Sequence, residues 1–307
     1  VTVNRLCASG SEAMLMGARA AATGDARLVL AGGVESMSRA PYVLPRPDEA
    51  LPRTMELAST VLGWRMVNPR MRDEWTISLG ACTEAIAVRY GVTREEMDAY
   101  AVRSHALAHA AWEAGKHDWV IEVDGVARDE SVRPGTTLEA LAGLKPAFAK
   151  GGAVTAGNAS PLNDGAAAVL IGSADACREL GAAPLGRIVA SATIGVDPQD
   201  FPIAPAFAIR RLLQRTGGDL GRFDVVEIQE AFAGVPLACM RELRELDAER
   251  VNPNGGAIAL GHPLGASAPR VVVDLLRELR RRGGGRGLFG VCIGVGLGQA
   301  IEVEVDG

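Results

Sequence analysis

At 307 residues with 48% hydrophobic side chains, 4% aromatics and 37 glycines, the chain is long enough for a large core and fits close-packed α/β layers, not a β-sandwich or a disordered chain. A net charge of -5 without a run of like charges argues against nucleic acid or a membrane surface as partner, so an anionic ligand must be gripped by local groups. Five scattered cysteines, at 7, 82, 177, 239 and 292, form no CxxC pair, which argues against a disulfide framework or a metal site and points, with no signal peptide and no membrane-length apolar run, to the cytoplasm.

The chain opens on Val3-Asn4-Arg5-Leu6-Cys7-Ala8-Ser9-Gly10-Ser11, an extended start that gives way to small residues. A helix is expected over 11–23, ended by Gly24-Asp25, then a buried strand over 28–33, the order of a parallel sheet. Cys7 thus stands at a helix N-terminus, where unpaired N–H groups and the helix dipole favour thiolate and make it a candidate nucleophile. A strand and helix of this kind belong inside a sheet, so the reading expects further elements upstream. From Pro41 to Trp75 five prolines break any long period and predict a loop-rich excursion, which with its helical continuation reaches to about residue 150. Helix returns over 80–116, with Thr93-Arg94-Glu95-Glu96 as a cap start. Strands are expected over Val120–Val123 and Ala166–Ile171.

A second half is expected to begin near Gly186, dividing the chain into 1–184 and 185–307. Its predicted order is strand 187–192, helix 204–216, strand 225–228, helix 231–246, a Gly-rich stretch, helix 266–282, and strands 288–291 and 300–305. Val3-Asn4, helix, strand and Gly pair recur in order as Val251-Asn252, helix, strand and Gly294, suggesting two similar halves. In the Gly-rich stretch, Gly261-His262-Pro263 sets a histidine where backbone can approach a ligand closely, a candidate base. Val291-Cys292-Ile293-Gly294 supplies a second thiol in a tight turn whose N–H groups suit an oxyanion. The glycines that follow are not a dinucleotide fingerprint, because no helix succeeds them. His105 and His109 lack further ligands and read as a solvated helix face, while Cys82, Cys177 and Cys239 read as core or surface thiols.

The Cys7 run, Gly157-Asn158-Ala159-Ser160-Pro161-Leu162-Asn163-Asp164-Gly165-Ala166, Gln229-Glu230-Ala231-Phe232-Ala233, the His262 loop and the Cys292 turn, in this order, resemble thiolases. The resemblance implies an α/β thiolase fold of two βαβαβαββ halves in an α-β-α-β-α layered sandwich, the first half lacking roughly 60 or more residues. It implies acyl transfer between coenzyme A thioesters: Cys7 is acylated, His262 is its base and supports the enolate oxygen, and Cys292 moves the α-proton of acetyl-CoA. The N–H groups of Cys7 and Gly294 form an oxyanion hole. Phe148, Ala156 and Ser160 fall at pantetheine-contacting positions. Gln229 replaces the family's Asn that orders a catalytic water; its extra methylene moves that water by about an ångström, enough to cost ~10²-fold in rate.

Within the family, Gly63-Trp64-Arg65-Met66-Val67-Asn68-Pro69-Arg70-Met71 and the Cys-Ile-Gly-Val-Gly turn are similar to the β-ketoadipyl-CoA group. Arg65 or Arg70 is then the expected cation for a dicarboxylic acyl chain. Acyl-CoA and CoA are the implied ligands, with CoA a substrate and no cofactor besides, and the assembly a homodimer or homotetramer. Two rivals are a ketoacyl-synthase-like condensing enzyme, which lacks a second catalytic Cys in such a turn, and a non-catalytic acyl-CoA-binding protein of the same fold.

Overall fold

The computed structural model describes residues 1–307. A 3-10 turn at Leu6–Ala8 leads into α1 (Ser9–Thr23), which Gly24 ends in the left-handed conformation. β1 (Leu28–Ser36) follows, then a long excursion holding only the two-residue strands β2 (Tyr42–Val43) and β3 (Ala58–Ser59). α2 (Leu79–Tyr90) is capped by the Ser78 hydroxyl, and α3 (Arg94–Glu113) by a reciprocal Thr93/Glu96 capping box. The helix expected over 80–116 is therefore two, parted by Gly91 at φ 65. After α4 (Leu138–Ala142) come β4 (Asp164–Gly172) and α5 (Ala174–Glu179). The second half runs β5 (Arg187–Gly195), α6 (Ala204–Thr216), β6 (Val225–Ile228), α7 (Gly234–Glu242), α8 (Ala257–Leu260), α9 (Leu264–Arg281), β7 (Gly285–Ile293) and β8 (Leu297–Val305).

A four-stranded sheet of order β5-β8-β7-β6 has one parallel pair, β6 with β7, and is otherwise antiparallel. The third strand of the expected βαβαβαββ order shrinks to one parallel bridge between Val226 and Val251. Side-chain alternation along β7 divides the core. Leu288 and Cys292 join the cluster around Ile209, Leu212, Phe201 and Phe223, whereas Phe289, Val291 and Ile293 join Val272, Leu275 and Leu279 of α9. α6 and α9 thus cover opposite faces of this sheet, and α1 and α9 in turn carry the β1–β4 sheet.

Where α9 begins, the Gly265 backbone meets β1 and α1 directly, with the Pro269 ring beside it against Gly10. A Cβ on Gly33 would stand 1.8 Å from the Gly265 carbonyl oxygen, and one on Gly10 2.4 Å from that same oxygen. Glycine at these positions lets the three backbones touch.

Several expectations need correction. β1 pairs antiparallel with β4, Leu28 opposite Gly172 through Ser36 opposite Asp164, and not in a parallel sheet. Nor is it buried on both faces: Leu30, Val34 and Leu170 are 75%, 73% and 63% exposed. No helix of residues 1–307 covers that outer face, which lies on the half expected to be incomplete. Val120–Val123 is no strand, because Asp124 and Gly125, both at positive φ, turn the chain back after a single Val123–Val126 bridge. The helix expected from Ala231 starts at Gly234, since the backbone before it is engaged elsewhere: Ser160 N–H donates to Ala231 O and Ala233 N–H to Asn158 O. His105 is buried, not solvated, and its Nδ1 accepts the Arg133 backbone N–H at 3.2 Å. No helix is long and apolar enough to cross a membrane.

Candidate active site

Cys7 sits in the turn before α1, where Ser9 braces the backbone by accepting the Arg5 N–H at 2.8 Å and donating to Leu6 O at 2.7 Å. Ser11 links the first turn of α1 to Gln299 of β8, and the Gln299 amide donates to the Glu12 carboxylate at 3.0 Å. Nothing in the local sequence around Cys7 signals this tie to residues near the far end of the chain. The thiol is buried, and burial pushes it up to about 11, with the backbone amides of Gly294 and Cys7 itself only partly opposing. The expectation of a thiolate favoured by the helix end is thereby corrected, because desolvation outweighs the helix N-terminus. A base must take the Cys7 proton. The same two amides that act on the thiol are those expected to receive an oxyanion.

Cys292 lies near the end of β7, opposite Gly298 of β8, and the hairpin closes through Val295 and Gly296, both at positive φ. Burial, and then the neighbouring Cys7 and Cys239 thiols, raise it well above the ordinary thiol range. Both thiols therefore carry their protons at neutral pH. Gly294 leaves room beside Leu6 and Leu79: a Cβ there would stand 3.2 Å from the Leu6 side chain. The Cys292 turn and the Cys7 turn are consequently packed against each other.

His262 stands between α8 and α9 on a loop held from the first half. Gly261, at φ 90, leaves no room for a Cβ beside the Asn163 amide, and Gly165 packs on the Pro263 ring. The ring is buried, and burial alone lowers it to about 4, so it is neutral near pH 7. Nδ1 lies 2.7 Å from Ser267 Oγ and 3.0 Å from the Gln229 amide nitrogen. Nε2 has no partner within the protein. Neither thiol is hydrogen-bonded to His262, and catalytic hydrogen bonds of this kind commonly tighten only with substrate.

Gln229 ends β6, its N–H donating to Gly290 O at 2.9 Å. Behind it lies a polar cavity of about 20 Å³, lined by Glu227, Ser267, Arg270 and Asp274 among others. The next residue, Glu230, is buried and accepts hydrogen bonds from Tyr100, Ser104, Asn252 and the Ile258 N–H. Asn252 also bridges the Ile228 backbone through both its amide atoms. These two residues lock the β6 end to the His262 segment; the motif around Gln229 drew attention to Glu230, but its partners are far off in sequence.

Of the pantetheine candidates, Phe148 packs over Gly80 of α2 and meets Phe232 edge-on at 5.8 Å. Ser160 Oγ donates to Ala231 O at 3.0 Å, and Ala156 is exposed. Asn158 between them is fully buried and holds the loop by bonds to Thr155, Asp98 and Ala153. Arg65 is exposed and its one hydrogen bond is to Gly63 O at 3.0 Å. The structure does not bring it to the thiols. No group of His, Cys, Asp and Glu is gathered as a metal site.

Residues 1–175 match the thiolase N-terminal domain and residues 182–305 the thiolase C-terminal domain. The chain is 47% identical to a β-ketoadipyl-CoA thiolase of Pseudomonas aeruginosa, the alignment covering 99% of this chain and 79% of that protein. It is 45% identical to the 3-oxoadipyl-CoA/3-oxo-5,6-dehydrosuberyl-CoA thiolase of Escherichia coli (strain K12), with the same coverage. Human mitochondrial 3-ketoacyl-CoA thiolase, solved in complex with CoA, superposes with a TM-score of 0.91 at 40% identity over 98% of this chain and 77% of its own. The Cys7 turn, the His262 loop and the Cys292 hairpin thus sit in a fold shared over 98% of this chain, and the chain belongs to the thiolase family.

Proposed function

We propose that this chain transfers acyl groups between CoA thioesters through an acyl-cysteine at Cys7, cleaving a β-ketoacyl-CoA with CoA to acetyl-CoA and a shortened acyl-CoA, or running the reverse condensation. The observation that carries this reading is the packing of the Cys7 turn against the Cys292 hairpin, Leu6 beside Gly294, with both thiols buried. His262 takes the Cys7 proton as sulfur attacks the ketone carbon, and the two amides hold the alkoxide. Its collapse breaks the Cα–Cβ bond, and Cys292 gives its proton to the departing acetyl-CoA carbanion. CoA thiol then attacks the acyl-cysteine, losing its proton to the Cys292 thiolate, and His262 returns its proton to Cys7. The cycle balances with two thiols, one base and CoA as substrate.

The relatives' names favour a β-ketoadipyl chain as substrate, with Phe148, Ala156 and Ser160 along the pantetheine. Arg65 is the proposed contact for the distal carboxylate; Arg65→Ala leaving the preference for dicarboxylic over monocarboxylic acyl-CoA unchanged would remove it. A cytoplasmic homodimer or homotetramer is the proposed form. Mass spectrometry after incubation with acetyl-CoA tests the central claim. One acetyl group on Cys7, absent in Cys7→Ser, supports it, whereas unmodified well-folded protein favours the non-catalytic acyl-CoA binder.

A further inference from the structure

His262 has polar neighbours on one side of its ring only. Ser267 carries a single hydroxyl hydrogen, and the Pro263 carbonyl 2.9 Å from its oxygen can only accept. The hydroxyl has two arrangements: it donates to Pro263 and turns a lone pair to Nδ1, 2.7 Å away, or it donates to Nδ1, the Pro263 carbonyl being held already by the Ala266 and Ser267 N–H groups. The first arrangement puts the ring proton on Nδ1 and leaves the Nε2 lone pair free, and Gln229 decides between the two. A Gln229 N–H facing that Nδ1–H would oppose two donors and strand Gln229 Oε1, buried and without a partner. With the amide turned over, Oε1 accepts from Nδ1–H and the NH2 points into the cavity that Glu227 and Asp274 line. Gln229 Oε1 then has the partner that the other arrangement denies it.

We propose that Gln229 is a positioning residue whose amide oxygen shares the His262 Nδ1 proton with Ser267, making an amide–imidazole–thiol relay that stabilises the imidazolium formed when His262 takes the Cys7 proton. The step is one proton transfer: the Cys7 S–H bond breaks, an Nε2–H bond forms, and a thiolate–imidazolium pair results. This inference rests on the acyl-cysteine reading above and departs from it in one respect. The side chain that replaces the family's Asn is one methylene longer, and it reaches the far side of the ring from the nitrogen that acts on substrate. Its amide supports the base instead of holding a water beside the enolate.

The charged groups nearby do not supply the same service. On α9, Arg270 is engaged by Asp129 at 2.6 and 2.7 Å, and Asp274 by His117 and Trp119. Glu230 is occupied by its four donors. On β6, burial and the nearby Asp274 and Glu230 push Glu227 well above the carboxylate range, so it is neutral. Cys7 and Cys292 are neutral thiols.

The experiment is the rate of Cys7 alkylation by iodoacetamide against pH in the full chain, for wild type, Gln229→Met, Gln229→Asn and Ser267→Ala. It needs no CoA substrate. An acceptor lost from a charged donor costs about tenfold, so Gln229→Met should alkylate about tenfold more slowly at pH 7, where attack goes through the thiolate–imidazolium pair, with the rise at high pH, where His262 stays neutral, unchanged. Gln229→Asn, whose amide ends a methylene short, should behave like Gln229→Met, and it carries the test if the latter does not fold. Profiles for both variants that superpose on wild type would overturn the relay. So would a wild-type profile for Gln229→Asn alone, or ¹⁵N shifts showing the proton on Nε2. If the profiles move as expected yet acetyl-CoA leaves no acyl group on wild-type Cys7, the relay stands and the proposed function falls.

Discussion

Burial governs the chemistry of the individual groups at this site. A neutral His262 beside neutral thiols means that nucleophilicity is created during the reaction, not stored in the resting protein. Cys292→Ala is accordingly expected to slow acylation of Cys7 by acetyl-CoA, because the departing CoA thiolate loses its proton donor, and to abolish exchange of the acetyl α-protons with solvent deuterium, read by NMR of the recovered acetyl-CoA. Exchange that continues in Cys292→Ala would remove Cys292 from the α-proton step. His262 and His105, each lowered from 6.5 to about 4 by burial, also make stability depend on pH. Their folded-state values lie below the unfolded ones, so the unfolded chain binds more protons as acid is added. Stability from this source is complete above about pH 6.5 and is lost as pH falls toward about 4. Urea midpoints should drop between pH 7 and pH 5, and less so in His105→Gln. A flat response would show that the rings are not buried neutral. The identities of Cys7, His262 and Cys292 were legible in the sequence because each stands in a motif. The raised thiol pKa values were not, because Cys7 is buried in the cluster that holds Val272, Phe289 and Val291, and Cys292 in the one that holds Phe201 and Ile209, residues far in sequence from the thiol they bury.

At the scale of elements, the best-read segments were those whose signals are local. α6 and β6 have the expected bounds, and the Thr93/Glu96 capping box opens α3 as its spacing suggests. Pairing was read less well: β1 looks like a parallel-sheet strand, yet its partner β4 lies more than a hundred residues on and runs antiparallel. Strand direction is decided by a neighbour that the strand's own residues do not name. The backbone crossing at Gly10, Gly33 and Gly265 was likewise hidden, since close approach is a property of two elements at once. It makes a sharp prediction. Gly33→Ala would drive a methyl into the Gly265 carbonyl, and the helix can retreat only by parting from β1. We expect a loss of more than about 2 kcal/mol, seen as a lower denaturation midpoint. Gly24→Ala, at φ 81 but in open space, should cost about 1 kcal/mol, and Gly135→Ala, in open space without that φ, close to nothing. Equal effects for Gly33 and Gly135 would show that α9 sits further from β1 than described.

For the whole molecule, the two sheets differ in their surroundings. The four-stranded sheet is covered on both faces, whereas the β1–β4 sheet turns Leu30, Val34 and Leu170 outward beside the alanines of β4. Leu30→Lys combined with Leu170→Glu should leave the unfolding temperature of this chain unchanged, and a fall in that temperature would show the face to be packed. The sequence reading took residues 28–33 as a buried strand, and which side faces outward depends on α1 and α9 covering the other.

The nucleophile belongs to one half of the chain, while the base and the proton-shuttling thiol belong to the other. The loop that props His262 crosses back again, with Asn163 against Gly261 and Gly165 against Pro263. Turnover is therefore a property of the seam. A small rotation of one half on the other, too slight to disturb a single helix, would separate sulfur from imidazole. Activity should fade at lower denaturant than ellipticity does, and an acyl-CoA bridging both sides would act as a clasp that delays the fading.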